Sequence, residues 1–418
     1  MTPLPCPDPF PAPRAVAEPA RPPRDPSSPP TIFISAGEES GDLHGAALAR
    51  ALRERFPDAR LVGMGGARMQ AEGVPLLAGL NELAVMGFVE VLRHLPFFIE
   101  LRKRVFAALA AEGVDLVIPI DYPGFNLRLA RHARERGIPV LYYIAPQVWA
   151  WHKSRVRDLA RDANEVAVVL PFEEDFLRKG GVNARFVGHP LLDRAHPELP
   201  RAEWARSVGL DPERPILALF PGSRAQEVGR HLELFSAAAE LVVARRPDAQ
   251  PVIGVPGGID RSVYAGARWP LVESAGGLLQ YATAVIAKSG TTTLEAALAL
   301  TPLVVVYRMN AASYALAKRV VKVPHIALAN LIAEDRVAPE FVQDAATPRA
   351  LADAILPLLD ERSEERRRMI DGFARVRARL GGPGASRRVA ELAAGLLGGQ
   401  PGADESAAGT AVSPKTGR

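Results

Sequence analysis

From Thr31 onward the chain repeats one pattern: a short run of consecutive apolar residues, a polar or glycine-bearing break, then a longer stretch with apolar positions at helical spacing. Apolar runs that do not alternate with polar residues read as strands buried on both faces, and their exchange with helices predicts βαβ units around parallel sheets. The runs of the first half are Thr31–Ser35, Arg60–Met64, Asp115–Ile120, Val140–Ile144, Glu165–Leu170 and Arg185–Val187. Those of the second are Ile216–Phe220, Pro251–Val255, Leu271–Glu273, Ala284–Ala287 and Leu303–Tyr307. Between them the rhythm stops in a proline-rich stretch with one short helical piece, Glu203–Val208, and helical sequence closes the chain from Pro348 to Leu397. The expectation is two α/β domains, 31–190 and 215–397, joined by a linker at 191–214, with a ligand in the cleft between them.

The ends change the picture. Residues 1–30 hold 12 of the 38 prolines, and 398–418 are rich in Gly, Ala, Ser and Thr without a hydrophobic period, so both are expected to be disordered. No run approaches the roughly 18 apolar residues of a spanning helix, which argues against an integral membrane protein. The net charge of +4 belongs to 31–397, since the two ends carry five residues of each sign. Its basic residues are spread out, so no nucleic-acid partner is expected. The one cysteine, Cys6, allows no disulfide framework. The first residues lack the charged start and apolar stretch of a signal peptide, and a cytoplasmic protein is expected.

Ligands of open parallel sheets collect at the carboxyl ends of the strands. The first exit, Ser35–Asp42, is acidic and has no Lys for a phosphate loop. Glu38, Ser40 and Asp42 suit sugar hydroxyls, with helix capping by Ser40 or Asp42 as the alternative. Gly63–Arg68 lacks the spacing of a dinucleotide fingerprint, so NAD is discounted. The third exit, Ile120–Asn126, ends an apolar strand in Asp121, either a general base for a hydroxyl or an Asx turn, and includes Asn126. The fourth holds Gln147, Trp149 and Trp151, whose rings stack on a ligand or fill a core.

In the second half, Ser223 and Arg224 follow a Pro-Gly turn at a strand exit and suit a phosphate. Ser289, Gly290, Thr291 and Thr292 precede a helix in the same way, with Glu295 one turn inside to accept from ribose hydroxyls. The pair of loops is what a nucleoside diphosphate needs; simple capping is the alternative. No Asp-x-Asp, His-x-x-x-His or Cys cluster asks for a metal, and no cofactor is expected. Arg224 and helix dipoles would then stabilise a leaving diphosphate. The segment 82–106 mixes Val85, Met86, Phe88, Leu95, Phe97 and Phe98 with Arg93, His94, Arg102, Lys103 and Arg104. It reads as an interfacial patch for anionic lipid or as a buried helix pair interrupted by Pro96.

The motifs GEESGD (37–42), LAVMGFVEVL (83–92), IDYPGFN (120–126), APQVWAW (145–151), LPFE (170–173), FVGHPLLD (186–193), PGSR (221–224) and SGTTTLEAAL (289–298) resemble, in this order and spacing, the lipid-A-disaccharide synthase family. The resemblance spans roughly 31–395. It implies a GT-B fold, two Rossmann-like domains with parallel sheets facing across a cleft, and an inverting, metal-independent transfer. The implied donor is UDP-2,3-diacylglucosamine and the acceptor 2,3-diacylglucosamine 1-phosphate; the products are a β-1,6 disaccharide and UDP, made at the cytoplasmic face of the inner membrane. It further implies Asp121 as base for the acceptor's 6-hydroxyl, and Arg224, Ser289–Thr293 and Glu295 on the UDP moiety, with Asn330 nearby. An anionic membrane surface becomes a partner, and a homodimer is left open. Three positions depart from the family: Glu39 for its usual Ala, Lys288 for a small residue, and Ala329 for Pro. The nearest rival is a UDP-N-acetylglucosamine 2-epimerase of the same fold, which gives 82–106 no reason to be apolar and cationic. A non-catalytic membrane or nucleic-acid binder would leave the strand-exit loops unexplained.

Overall fold

The computed structural model describes residues 25, 28–80, 95–149, 154–193, 199–257, 259–273, 277–310, 314 and 324–398, the side chains of 95–98 excepted. Val85, Met86, Phe88 and the side chains of Leu95, Phe97 and Phe98 therefore lie outside the described residues, as do Trp151 and most of both ends.

The apolar runs form two sheets. β1 (Thr31–Ala36), β2 (Arg60–Gly65), β3 (Leu76–Gly79), β4 (Leu116–Ile120), β5 (Leu141–Tyr143), β6 (Glu165–Val168) and β7 (Ala184–Phe186) assemble in the order 3-2-1-4-5-6-7. β8 (Ile216–Phe220), β9 (Gln250–Val255), β10 (Leu271–Glu273), β11 (Ala284–Lys288), β12 (Leu303–Tyr307) and β13 (Glu340–Val342) follow in the order 10-9-8-11-12-13. Every pairing between these strands is parallel. Ile32, Phe33 and Ile34 of β1 and Ile216–Leu219 of β8 are fully buried, because helices cover both faces of each sheet. β3 and β13, absent from the sequence expectation, are short edge strands with only partly buried residues apart from Ala78.

Strand order reverses between β1 and β4 and again between β8 and β11. Successive crossovers leave on opposite faces at such points, so the following loops part and open a crevice. The loops at those four exits are 37–42, 121–126, 221–224 and 289–293.

Two helices bear on the expectations. Leu95–Ala111 packs Leu101, Val105 and Leu109 under the first sheet, in a cluster with Phe33, Val62 and Val117. Each such burial is worth about 1.5–3 kcal/mol, so from Leu101 onward the core reading of 82–106 holds. Ala385–Leu396 follows the second domain in sequence but packs against Glu39–Arg55 of the first. Asp193 accepts from Gly384 N–H and, at 3.1 Å, from Ala385 N–H at the start of that helix. Arg388 Nε donates to the Val187 carbonyl at 2.7 Å, and Arg55 pairs with Glu391 at 3.0 Å. No described helix is long and apolar enough to cross a membrane.

Candidate active site at the strand exits

β4 ends at Ile120, and the chain then takes two left-handed residues in succession, Asp121 (φ 44°) and Tyr122 (φ 46°). Such backbone costs a non-glycine residue about 1–3 kcal/mol, and three hydrogen bonds hold it. Asp121 N–H donates to the Tyr143 carbonyl at 3.1 Å; the Asp121 carbonyl accepts from the Tyr142 hydroxyl at 2.7 Å and from Asn126 Nδ2 at 2.8 Å. The backbone is thereby fixed and the carboxylate stands half-buried at the exit. Burial, then the charge of Glu38, push its pKa up to about 6, with the Tyr122 N–H opposing. A carboxylate in that range is ionised at neutral pH yet basic enough to take a hydroxyl proton. Gly37 lets the first exit approach, since a Cβ there would fall 2.2 Å from the Tyr122 ring.

The polar neighbours of Asp121 divide into outward and inward groups. Glu38, Ser40 and Gln147 are exposed at the exits. Asp42 and Asn126, expected to touch substrate, are buried with their side chains bonded inward. Asp42 is buried and its carboxylate accepts from the N–H groups of Gly66 (2.7 Å), Arg68 (3.0 Å) and Met69 (3.1 Å), capping the helix Ala67–Ala71 rather than its own. Asn126 is wholly buried, with its Nδ2 shared among the Ser35, Ile120 and Asp121 carbonyls and its Oδ1 accepting from Ser35 Oγ at 2.6 Å. Its work is to hold Asp121.

Trp149 is partly buried, edge-on to Phe172 with ring centroids 5.2 Å apart, and its Nε1 donates to Glu173 Oε1 at 3.0 Å. The other Glu173 oxygen accepts from Leu170 N–H at 3.2 Å. Burial pushes Glu173 up to about 7, against the bonds from Trp149, Leu170 and Val169, while the charge of Asp121 adds to the rise. Sequence reasoning gave Glu173 no role. The available signal was its place at the third position of a helix opened by Pro171, where a Glu bonds back to the backbone.

Across the crevice, Arg224 is exposed before the helix Ala225–Arg245 and its Nη2 lies 3.4 Å from Glu38 Oε2. This contact joins the exits of β8 and β1. Ser223 is exposed, and its N–H donates to Glu227 Oε2 at 3.0 Å. At the exit of β11, Ser289 Oγ donates to the Ile326 carbonyl at 3.1 Å, and Thr293 Oγ1 to the Gly290 carbonyl at 2.7 Å. Gly290, Thr291 and Thr292 lead into the helix Thr291–Leu298, whose first N–H groups have no intrahelical acceptor and suit an anion. Glu295 sits one turn inside, half-buried. Asn330 departs from expectation: it is wholly buried, bonding the Ala338 N–H and carbonyl and Glu340 Oε1, each at 2.8 Å. Glu340 in turn accepts from the Ile326 and Ala327 N–H groups. Asn330 thus ties β13 to the segment behind Ser289 instead of lining the crevice.

The family model of lipid-A-disaccharide synthetase matches residues 32–380. The lipid-A-disaccharide synthase of Acidobacterium capsulatum is 42% identical over 393 residues, covering 89% of this chain and 97% of that protein. The chain belongs to the lipid-A-disaccharide synthase family. It is accordingly a glycosyltransferase of lipid A biosynthesis. Among solved structures, a putative UDP-N-acetylglucosamine 2-epimerase from Listeria monocytogenes matches with a TM-score of 0.60 at 15% identity, over 88% of this chain and 96% of that one. The glycotransferase of kitacinnamycin matches at 0.59 and 17%, over 88% and 99%. These likenesses bear on the fold alone, which is GT-B.

Proposed function

We propose that the enzyme moves the 2,3-diacylglucosamine unit of UDP-2,3-diacylglucosamine onto the 6-hydroxyl of 2,3-diacylglucosamine 1-phosphate, giving the β-1,6 disaccharide 1-phosphate and UDP. The observation that carries the reading is Asp121, a half-buried carboxylate raised to about 6 on one side of a crevice whose other side presents Arg224. Asp121 takes the hydroxyl proton as the acceptor oxygen attacks the sugar carbon from the face opposite UDP, so the carbon inverts in a single displacement. The breaking bond leaves its electron pair on the diphosphate, where Arg224 and the N–H groups at Thr291 and Thr292 offset the charge. Glu38, Ser40, Gln147 and Trp149 are the acceptor-side contacts; Ser223, Ser289, Gly290 and Glu295 join the donor side. The segment 82–106, where apolar residues are interleaved with Arg93, His94, Arg102, Lys103 and Arg104, supports work at an anionic surface, which for this substrate pair is the cytoplasmic face of the inner membrane.

The test is UDP release from UDP-2,3-diacylglucosamine in EDTA, with and without the acceptor, with the lipid product followed by mass. Acceptor-dependent release with a disaccharide mass is expected. UDP binding without turnover would move the protein to another nucleotide-sugar reaction, 2-epimerisation first.

A further inference from the structure

Lys288 ends β11 immediately before Ser289-Gly290-Thr291. Its Nζ is 2.8 Å from Glu227 Oε1, and both side chains are largely buried, 21% and 16% exposed. The other Glu227 oxygen takes the Ser223 N–H at 3.0 Å. One carboxylate thus collects an ammonium from the β11 exit and a backbone N–H from the β8 exit. Those are the donors a phosphate oxygen would take at the meeting of the two loops. The turn before Ser223 is shaped around it: Gly222 has φ 144°, and a Cβ there would fall 2.3 Å from Glu227 Cβ. On the loop side, Nζ lies 3.7 Å from where a Cβ on Gly290 would stand, within reach of a ligand on that glycine.

Glu227 is itself held from behind. His231 Nε2 accepts from Arg308 N–H at 3.3 Å, which leaves its Nδ1 to donate to the Glu227 carbonyl at 2.8 Å. The Glu227 main chain is anchored, whereas among the described residues its carboxylate is bound by the Ser223 N–H and the Lys288 ammonium, groups that a diphosphate also binds.

We propose that Lys288 is a diphosphate ligand of the donor site and that Glu227 competes with the diphosphate for it. The inference rests on the donor-site reading above and adds a residue that the family resemblance does not supply. Lys288 brings a second cation, besides Arg224, to the oxygens that gain charge as the sugar leaves. Glu227 keeps that ammonium paired and aimed at the loop junction, so a ligand must carry at least the charge of a carboxylate to displace it. A nucleoside without phosphates gains nothing from Lys288.

The experiment is a calorimetric titration of UDP and of uridine into wild type, Lys288→Met, Glu227→Gln and the double variant. The Gln variant keeps an acceptor for the Ser223 N–H, and the double variant avoids leaving Glu227 unpaired. UDP binding is expected to weaken about tenfold in K288M and about as much again in the double variant relative to E227Q, with uridine unchanged. E227Q is expected to bind UDP about threefold tighter. If K288M keeps the wild-type ratio of UDP to uridine affinity, or if K288M and E227Q weaken UDP alike, the pair is a structural latch and the inference falls. A wild type that ignores UDP removes the donor-site reading with it, an outcome distinct from the other two.

Discussion

The exits of the two sheets are built on opposite principles. Around Asp121, polar side chains are spent mainly on backbone: Asn126 and Asp42 are buried, and their side-chain bonds hold the end of β1, the β4 turn and a neighbouring helix. Around Arg224, polar side chains are spent on each other, in the Glu38–Arg224 and Glu227–Lys288 pairs. Bonds of the first kind have no rival ligand, because their groups are sealed from solvent. Pairs of the second kind can be exchanged for the charges of a substrate. The difference matches the chemistry proposed: a base must be positioned before the reaction, while a diphosphate binding site must let go of its product.

The sharpest break of that comparison is Asp121→Asn, which should lower turnover about 1,000-fold while UDP affinity stays within about twofold of wild type. The same variant should stabilise the fold. A carboxyl whose folded pKa exceeds its unfolded one binds its proton more tightly when folded, so stability is full below about pH 4 and is lost as pH rises through 6. At pH 8 the loss from Asp121 is about 3 kcal/mol, of which D121N should recover about 1–3 kcal/mol in urea unfolding. Preserved turnover would remove Asp121 as base; an unchanged urea midpoint at pH 8 would remove the burial penalty on its charge.

Next in size is Asn126→Ala. It takes the acceptor from Ser35 Oγ and a donor from the Ser35, Ile120 and Asp121 carbonyls, of which the last keeps the Tyr142 hydroxyl, and should cost about 2–4 kcal/mol of stability with a matching fall in kcat. Ser223→Ala, at an exposed position of the other exit, should cost under about 0.5 kcal/mol. Equal costs would erase the contrast between a sealed exit and an open one.

Much of this was legible in the residues. Eleven strands follow from the apolar runs, because a strand buried on both faces leaves little choice of residue, and the four candidate loops from the Gly, Asp, Pro-Gly or Ser-Gly at their exits. The edge strands β3 and β13 did not show, since their three or four half-buried residues carry no comparable run. The partner of Ala385–Leu396 was equally hidden: a buried stripe says that a helix packs, not on which sheet. Within the loops, residue type did not reveal direction. Glu38 and Asp42 are four apart and both acidic, yet one faces the crevice while the other caps a helix that begins at Ala67. Asn330 and Glu173 were obscured in the same way, their partners being set by tertiary folding rather than by local sequence.

A smaller effect tests whether the two exits communicate. Glu38 touches Arg224 and its charge also raises Asp121. Glu38→Gln should therefore move the acid limb of kcat/KM to lower pH, lifting activity at pH 5 relative to pH 8 about two- to threefold. A limb that stays in place means that Glu38 serves the donor side alone.

The smallest expected effect belongs to Glu173→Gln. The Gln side chain keeps an oxygen for Trp149 Nε1 and gives up the acceptor of the Leu170 N–H, so the indole should hold its place and kcat should stay within about threefold of wild type. What changes is the proton balance. Glu173 is raised to about 7, so the wild-type fold is favoured by protonated Glu173 at low pH and loses that contribution as pH rises from about 4.5 through 7. Asp121 completes its own loss nearer pH 6, so the upper part of the decline belongs to Glu173. E173Q should then flatten stability above pH 6 and make the decline between about pH 4.5 and 6 shallower, leaving there the share that belongs to Asp121. A decline that persists unchanged above pH 6 would show that Glu173 does not titrate there. The rigidity of the Asp121 side would then rest on hydrogen bonds alone.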